Sequence, residues 1–129
     1  MPPQQSATLT GAELRIMDVL WQKGSGTVQQ VLESLSGKPA LAYNSVLTTI
    51  RILEKKGYVG HVQEGRAYIY QPLIQRQEVT RSEIRHLVKR FFGNSHEALV
   101  LNILEDEALD MDAQELKRLR EMLDRSGAK

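Results

Sequence analysis

The chain of 129 residues contains no cysteine. Disulfides, thiolate metal sites and cysteine nucleophiles are excluded together, and the absence agrees with a reducing compartment. No apolar run approaches the roughly 20 residues of a membrane span, and the opening Met-Pro-Pro-Gln-Gln-Ser-Ala has neither the charged nor the apolar region of a signal peptide. A soluble cytoplasmic protein with no direct membrane binding is expected. Charge of one sign is lacking as well: the net charge is +1, made of +2 up to Leu73 and −1 beyond it. Such a balance does not announce nucleic acid as a partner; positive groups must gather on one face or be doubled by dimerisation.

Enzyme signatures are missing too. There is no nucleophile elbow, no His-Glu-x-x-His and no phosphate loop, and Gly24-Ser25-Gly26 reads as a turn between helices. No catalytic residue is assigned. His61, His86 and His96 are too dispersed for a metal site, and Glu105-Asp106-Glu107 with Asp110 and Asp112 lacks the Gly and terminal Glu of a calcium loop. That acidic stretch reads as a solvated linker and helix cap, and no metal or cofactor is expected.

What is present is globular composition, 41% hydrophobic with 26% charged, enough for one ordinary domain or two small ones. From Leu41 to Val59 the chain carries two stripes. Val46, Ile50 and Leu53 recur at helical spacing on one side, and Asn44, Thr48, Arg51 and Lys55 recur about half a turn away. The outward amide, hydroxyl, guanidinium and ammonium groups can hydrogen-bond base edges or neutralise phosphates in a major groove. Lys55-Lys56-Gly57 closes the helix, with cations at the negative end of its dipole and Gly at the left-handed position. The plain alternative is a surface helix with an ordinary polar back, and the flanking segments decide between them.

Upstream, Thr10 and Glu13 form a capping box with Leu9 and Leu14 as its hydrophobic staple. A helix starting at Gly11 is expected, with Leu14, Met17, Leu20 and Trp21 as its apolar stripe. Thr27-Val28-Gln29-Gln30 repeats the pattern for a short second helix bearing Val28, Val31, Leu32 and Leu35, which Ser36-Gly37-Lys38-Pro39 breaks. Two helices joined by a tight turn, the second with the polar face, make a helix-turn-helix. After Gly57 the period becomes that of two strands, Tyr58 to Gln63 and Ala67 to Gln71, around a turn containing Gly65. Pro72 ends the second. This hairpin is a wing, and Arg66 at its tip is either a phosphate contact or a solvated turn residue.

Residues 75 to 125 read as helical. Ile84, Leu87, Val88 and Phe91 share a face beside Phe92, and Gly93-Asn94 stops that helix. Asn94 or Ser95 caps a segment, Glu97 to Leu104, that is apolar nearly all round. Asp112 with Glu115 caps a last helix bearing Leu116, Leu119, Met122 and Leu123. Some fifty residues bury too little surface to enclose such a segment, so a homodimer is expected, through Leu87, Phe91, Leu99, Leu101, Leu104, Leu119 and Leu123. The expected class is mainly α with a small β-hairpin: a disordered start (1–8), a winged helix-turn-helix DNA-binding domain (9–73), a three-helix dimerisation domain (74–125) and a disordered tail (126–129). A protein-interaction module that merely uses the winged helix as scaffold is the alternative, distinguished by weak or salt-independent DNA binding.

The order of elements, with Leu20-Trp21, the run Ala42 to Thr49, Leu53 to Gly57, Gly65 to Tyr70 and Phe91-Phe92-Gly93, closely resembles the penicillinase-repressor family, the repressors of β-lactamase and methicillin-resistance operons. The resemblance runs from about Leu9 to Leu123. It implies a homodimeric repressor on a double-stranded operator with dyad symmetry, with Tyr43, Asn44, Ser45, Thr48, Arg51 and Lys55 in the reading helix and Arg66 in the wing. It also implies, from the antibiotic-responsive members, a membrane sensor whose signal leads to proteolysis within the dimerisation region. The matching position is Asn102-Ile103, where Ile stands in place of the family's usual Phe; a merely polar residue in a dimer helix is the other reading of Asn102. The copper-responsive branch carries a C-terminal cysteine cluster, which this chain lacks.

Overall fold

The computed structural model describes residues 8–35, 40–106 and 110–126. The expected disordered ends, apart from Thr8 and Ser126, lie outside the described residues, as do the Ser36-Gly37-Lys38-Pro39 break and Glu107. The chain is mainly helical with a two-strand antiparallel hairpin, and it divides into two compact units between Leu87 and Val88.

In the first unit, α1 (Gly11–Lys23) begins where its caps place it. Thr10 Oγ1 accepts from the Glu13 N–H at 3.1 Å and Glu13 Oε1 accepts from the Thr10 N–H at 2.8 Å, so two orphan donors of the first turn are satisfied. The inward stripe runs through Glu13, Ile16, Met17 and Leu20, which is i, i+3, i+4, i+7. Leu14 departs from expectation: it flanks that stripe and is 43% exposed. Its intended place is taken by a carboxylate.

The short α2 (Val28–Ser34) has its own capping box from Thr27 and Gln30. Then α3 (Tyr43–Lys56) buries Val46, Ile50 and Leu53 and ends at Gly57, whose φ of 91° is the left-handed conformation expected of a helix-ending glycine. Strands β1 (Val59–Glu64) and β2 (Ala67–Pro72) pair from Val59↔Pro72 to Glu64↔Ala67. Gly65 opens the turn between them with φ 61°. Residue Tyr70 of β2 also bridges to Gly26, ahead of α2.

These elements enclose one core, centred on Ile16, Met17, Leu20, Val31, Val46 and Ile50, with Tyr58, Val59 and Tyr70 contributed by the wing. Trp21 stands at its edge rather than plugging it. Its indole N–H donates to the Ile74 carbonyl at 2.9 Å, and the Arg76 guanidinium lies 4.8 Å from its ring while pairing with Asp18 at 2.8 Å. The start of α4 (Arg76–Phe92) is therefore tied to α1 by directional bonds, and Val79 of α4 belongs to the core.

Helix α4 crosses the division between the units and stops at Gly93 and Asn94, both with positive φ, 55° and 68°. Ser95, and not Asn94, caps α5 (His96–Leu104), accepting from the Ala98 N–H at 3.0 Å. Asp112 caps α6 (Ala113–Arg125), accepting from the Glu115 N–H at 2.8 Å. In the second unit Val88 is buried, whereas α5 and α6 have no buried residue.

Candidate nucleic-acid interface

A 14-residue helix turning about 100° per residue that buries Val46, Ile50 and Leu53 must show its other side to solvent. Asn44, Thr48, Arg51 and Lys55 are all exposed there, with Tyr43 and Ser45 exposed in the first turn. The Ser45 carbonyl accepts from Thr49 Oγ1 at 2.8 Å, which keeps the Thr49 hydroxyl occupied within the helix. Ala42 is the N-cap and supplies no side-chain bond to the first turn of α3.

Beside this face the wing forms one wall of a cleft of about 280 Å³. Tyr43, Leu47 and Arg51 line it from α3, Arg66 and Tyr68 from the wing, and Gln29 from α2. The fold thus brings Arg51 and Arg66 to one concavity that tyrosines also line, a combination suited to a sugar–phosphate strand. Gln29 and Tyr68 were not among the expected contacts. Neither has a helical spacing to the polar face, and only the packing of α2 and the wing against α3 brings them near it. Ile52, 43% exposed, was also missed; it lies four residues from Thr48 and three from Lys55, so the outward surface is not wholly polar.

A carboxylate–imidazole hydrogen bond and an ion pair flank the last turn of α3. Glu54 Oε2 accepts from His61 Nδ1 of β1 at 2.6 Å, and the His61 ring lies 4.6 Å from Tyr68 and 5.5 Å from Tyr70. Lys56 Nζ donates to both oxygens of Glu13, at 3.0 and 2.8 Å. Lys56 therefore does more than complement the helix dipole: it compensates a carboxylate that is only 3% exposed. Burial alone raises the Glu13 pKa, but the bonds from Lys56 and Thr10 and the Lys56 charge outweigh it, and the carboxyl sits below its ordinary value. Burial raises the Tyr58 and Tyr70 hydroxyls, reinforced by Glu83 and Glu13 at Tyr58 and by Glu54 at Tyr70.

Elsewhere, Leu87, Phe91, Leu101, Leu104, Leu119 and Leu123 are exposed in the single chain, and Leu99 is half-buried. Asn102 and Ile103 are exposed on α5, near its C-terminal end. Among the described residues no group of His, Cys, Asp and Glu is arranged to hold a metal ion, and no helix is long and apolar enough to cross a membrane.

Comparison with known proteins matches residues 9–125 to the penicillinase repressor family. The chain is 28% identical over 116 residues to the penicillinase repressor of Bacillus licheniformis, covering 90% of this chain and 89% of that one. It is 32% identical over 108 residues to the transcriptional regulator BlaI of Mycobacterium tuberculosis, covering 82% and 78%. The solution structure of the DNA-binding domain of the repressor BlaI superposes with a TM-score of 0.51 at 29% identity, covering 58% of this chain and 92% of that domain. A capped three-helix core, a hairpin wing and these matches along nearly the whole length agree: the chain belongs to the penicillinase repressor family, which consists of transcriptional repressors and not enzymes.

Proposed function

We propose that the protein is a homodimeric repressor that reads a dyad-symmetric operator, placing α3 in the major groove and the wing against the flanking backbone. One observation carries this reading: Arg51, a member of the exposed polar face of α3, and Arg66 of the wing line a single cleft. Relatives named as repressors, one of them with a DNA-binding domain of this fold, support it. Asn44, Thr48 and Arg51 are assigned to base edges, and Tyr43, Ser45, Lys55 and Arg66 to the backbone.

The dimer rests on the second unit, taken as the dimerisation domain. A helix whose sequence, His96 to Leu104, is largely apolar yet buries no residue within one chain requires cover. A second copy supplies that cover and carries a second winged helix to the other half-site. Release by proteolysis at Asn102-Ile103 fits the position of that bond, exposed in the single chain and within the last turn of α5, where unwinding costs few hydrogen bonds. A membrane sensor is the upstream partner in this reading, and the cytoplasm its setting.

A salt-titrated gel shift tests it, with the dyad upstream of the protein's own reading frame set against scrambled DNA of equal length. Tight binding to the dyad, as a dimer and falling steeply with salt, is expected. Equal weak binding to both duplexes, indifferent to salt, favours a protein-interaction module instead.

A further inference from the structure

The apolar stripe of α3 holds the helix to the core but resists sliding and rolling poorly, because apolar contacts are non-directional. Directional contacts must set its angle. At its N-terminal end the N-cap Ala42 has no side-chain bond. Its last turn carries two directional pairs, the ion pair of Lys56 with Glu13 of α1 and the hydrogen bond between Glu54 and His61 of the wing. Two residues apart on a helix means about 200° of rotation, so these pairs grip opposite flanks, with the face of Asn44, Thr48, Arg51 and Lys55 between them. Glu13 is itself immobilised, since one of the two oxygens that meet Lys56 also receives the Thr10 N–H that caps α1.

We infer that Glu13 is a positioning residue for sequence readout: through Lys56 it sets the docking angle of α3, although it is buried and touches no DNA. His61, through Glu54, is the matching restraint on the wing side. A helix of 14 residues is about 20 Å long, so a tilt of about 10° at the held end moves the far end by about 3.5 Å. That exceeds the few tenths of an ångström over which hydrogen bonds to base edges persist. Phosphate contacts, which are longer-ranged and carried by flexible side chains, survive such a tilt far better. The consequence is selective: loosening the Glu13–Lys56 pair erodes discrimination between sequences more than it erodes affinity for DNA as such.

This inference rests on the operator-reading role proposed above. The experiment uses the full-length chain and a duplex that it selects from a random-sequence pool. Affinity for that duplex and for a scrambled one is measured for the native protein, Glu13→Gln, Lys56→Met and Lys56→Arg. Glu13→Gln retains an acceptor for the Thr10 N–H. Glu13→Gln raises the net charge and Lys56→Met lowers it, so a purely electrostatic effect moves scrambled-DNA affinity in opposite directions for the two. The expected result is a loss of specific-to-scrambled preference in both, by about tenfold, comparable to losing one well-made base contact. Lys56→Arg, which preserves the pair, restores it. A merely structural role lowers the melting temperature and the folded fraction while leaving that ratio unchanged, and this outcome overturns the inference. If the native chain itself selects no sequence, it is the operator-reading role that fails.

Discussion

Gly26 and Tyr70 exchange both of their backbone hydrogen bonds, at 2.9 and 2.8 Å, which fastens β2 of the wing to the turn that opens the helix-turn-helix. The wing is thus anchored at its base, beside the cleft that Arg51 and Arg66 line. A Cβ on Gly26 meets its nearest neighbours at 3.5 to 3.7 Å, ordinary contact distance. Gly26→Ala is therefore expected to be tolerated, whereas Gly26→Pro removes the donor to Tyr70 and destabilises by roughly 1 to 3 kcal/mol. Denaturant unfolding of the two variants checks this; equal stabilities would mean the bridge contributes nothing.

Arg51 is exposed on α3 and lines the cleft beside the wing. Arg51→Ala is expected to cost roughly 1 to 3 kcal/mol on the specific duplex if it grips a guanine bidentately. A loss spread evenly over specific and scrambled DNA assigns Arg51 to phosphate instead, and unchanged binding to both removes it from the interface.

Leu101 is 46% exposed in the single chain. Leu101→Asp places a charge on the face assigned to the partner copy, where it would be buried without a counter-charge. Sedimentation should show a monomer, and operator affinity should fall with it. A variant that remains a tight, operator-binding dimer places the interface elsewhere.

The lowered pKa of Glu13 makes an acid-stability prediction. A carboxyl depressed in the folded state contributes stability that is complete above its ordinary value of 4.5 and is lost as pH falls through the folded value. The melting temperature of the native chain is expected to fall more steeply below that pH than that of Glu13→Gln, which does not titrate. Parallel curves would show that the Lys56 pair contributes no pH-dependent stability.

The helix ends were legible because their causes are local. Thr10 with Glu13, Thr27 with Gln30 and Asp112 with Glu115 lie three residues apart, and Gly57 follows directly on the helix it ends. Each is a bond or conformation within one turn, so spacing along the chain is enough to specify it. The two faces of α3 were legible for the same reason, a fixed rotation per residue.

The restraints on that helix were not. Lys56 and Glu13 are 43 residues apart, and no periodicity connects them; the same holds for Trp21 of α1 and Ile74 before α4, which are 53 apart. Leu14 and Glu13 are neighbours in sequence with hydropathies that predict the opposite burial, yet Glu13 turns inward because Lys56 arrives from α3 to compensate it. Local bonding and periodicity thus decided which segments are helices, where they stop and which side of α3 is polar. Packing decided which charge is buried, what grips the last turn of that helix, and which residues of α2 and the wing share its cleft, because these depend on surfaces that meet only when the chain has folded.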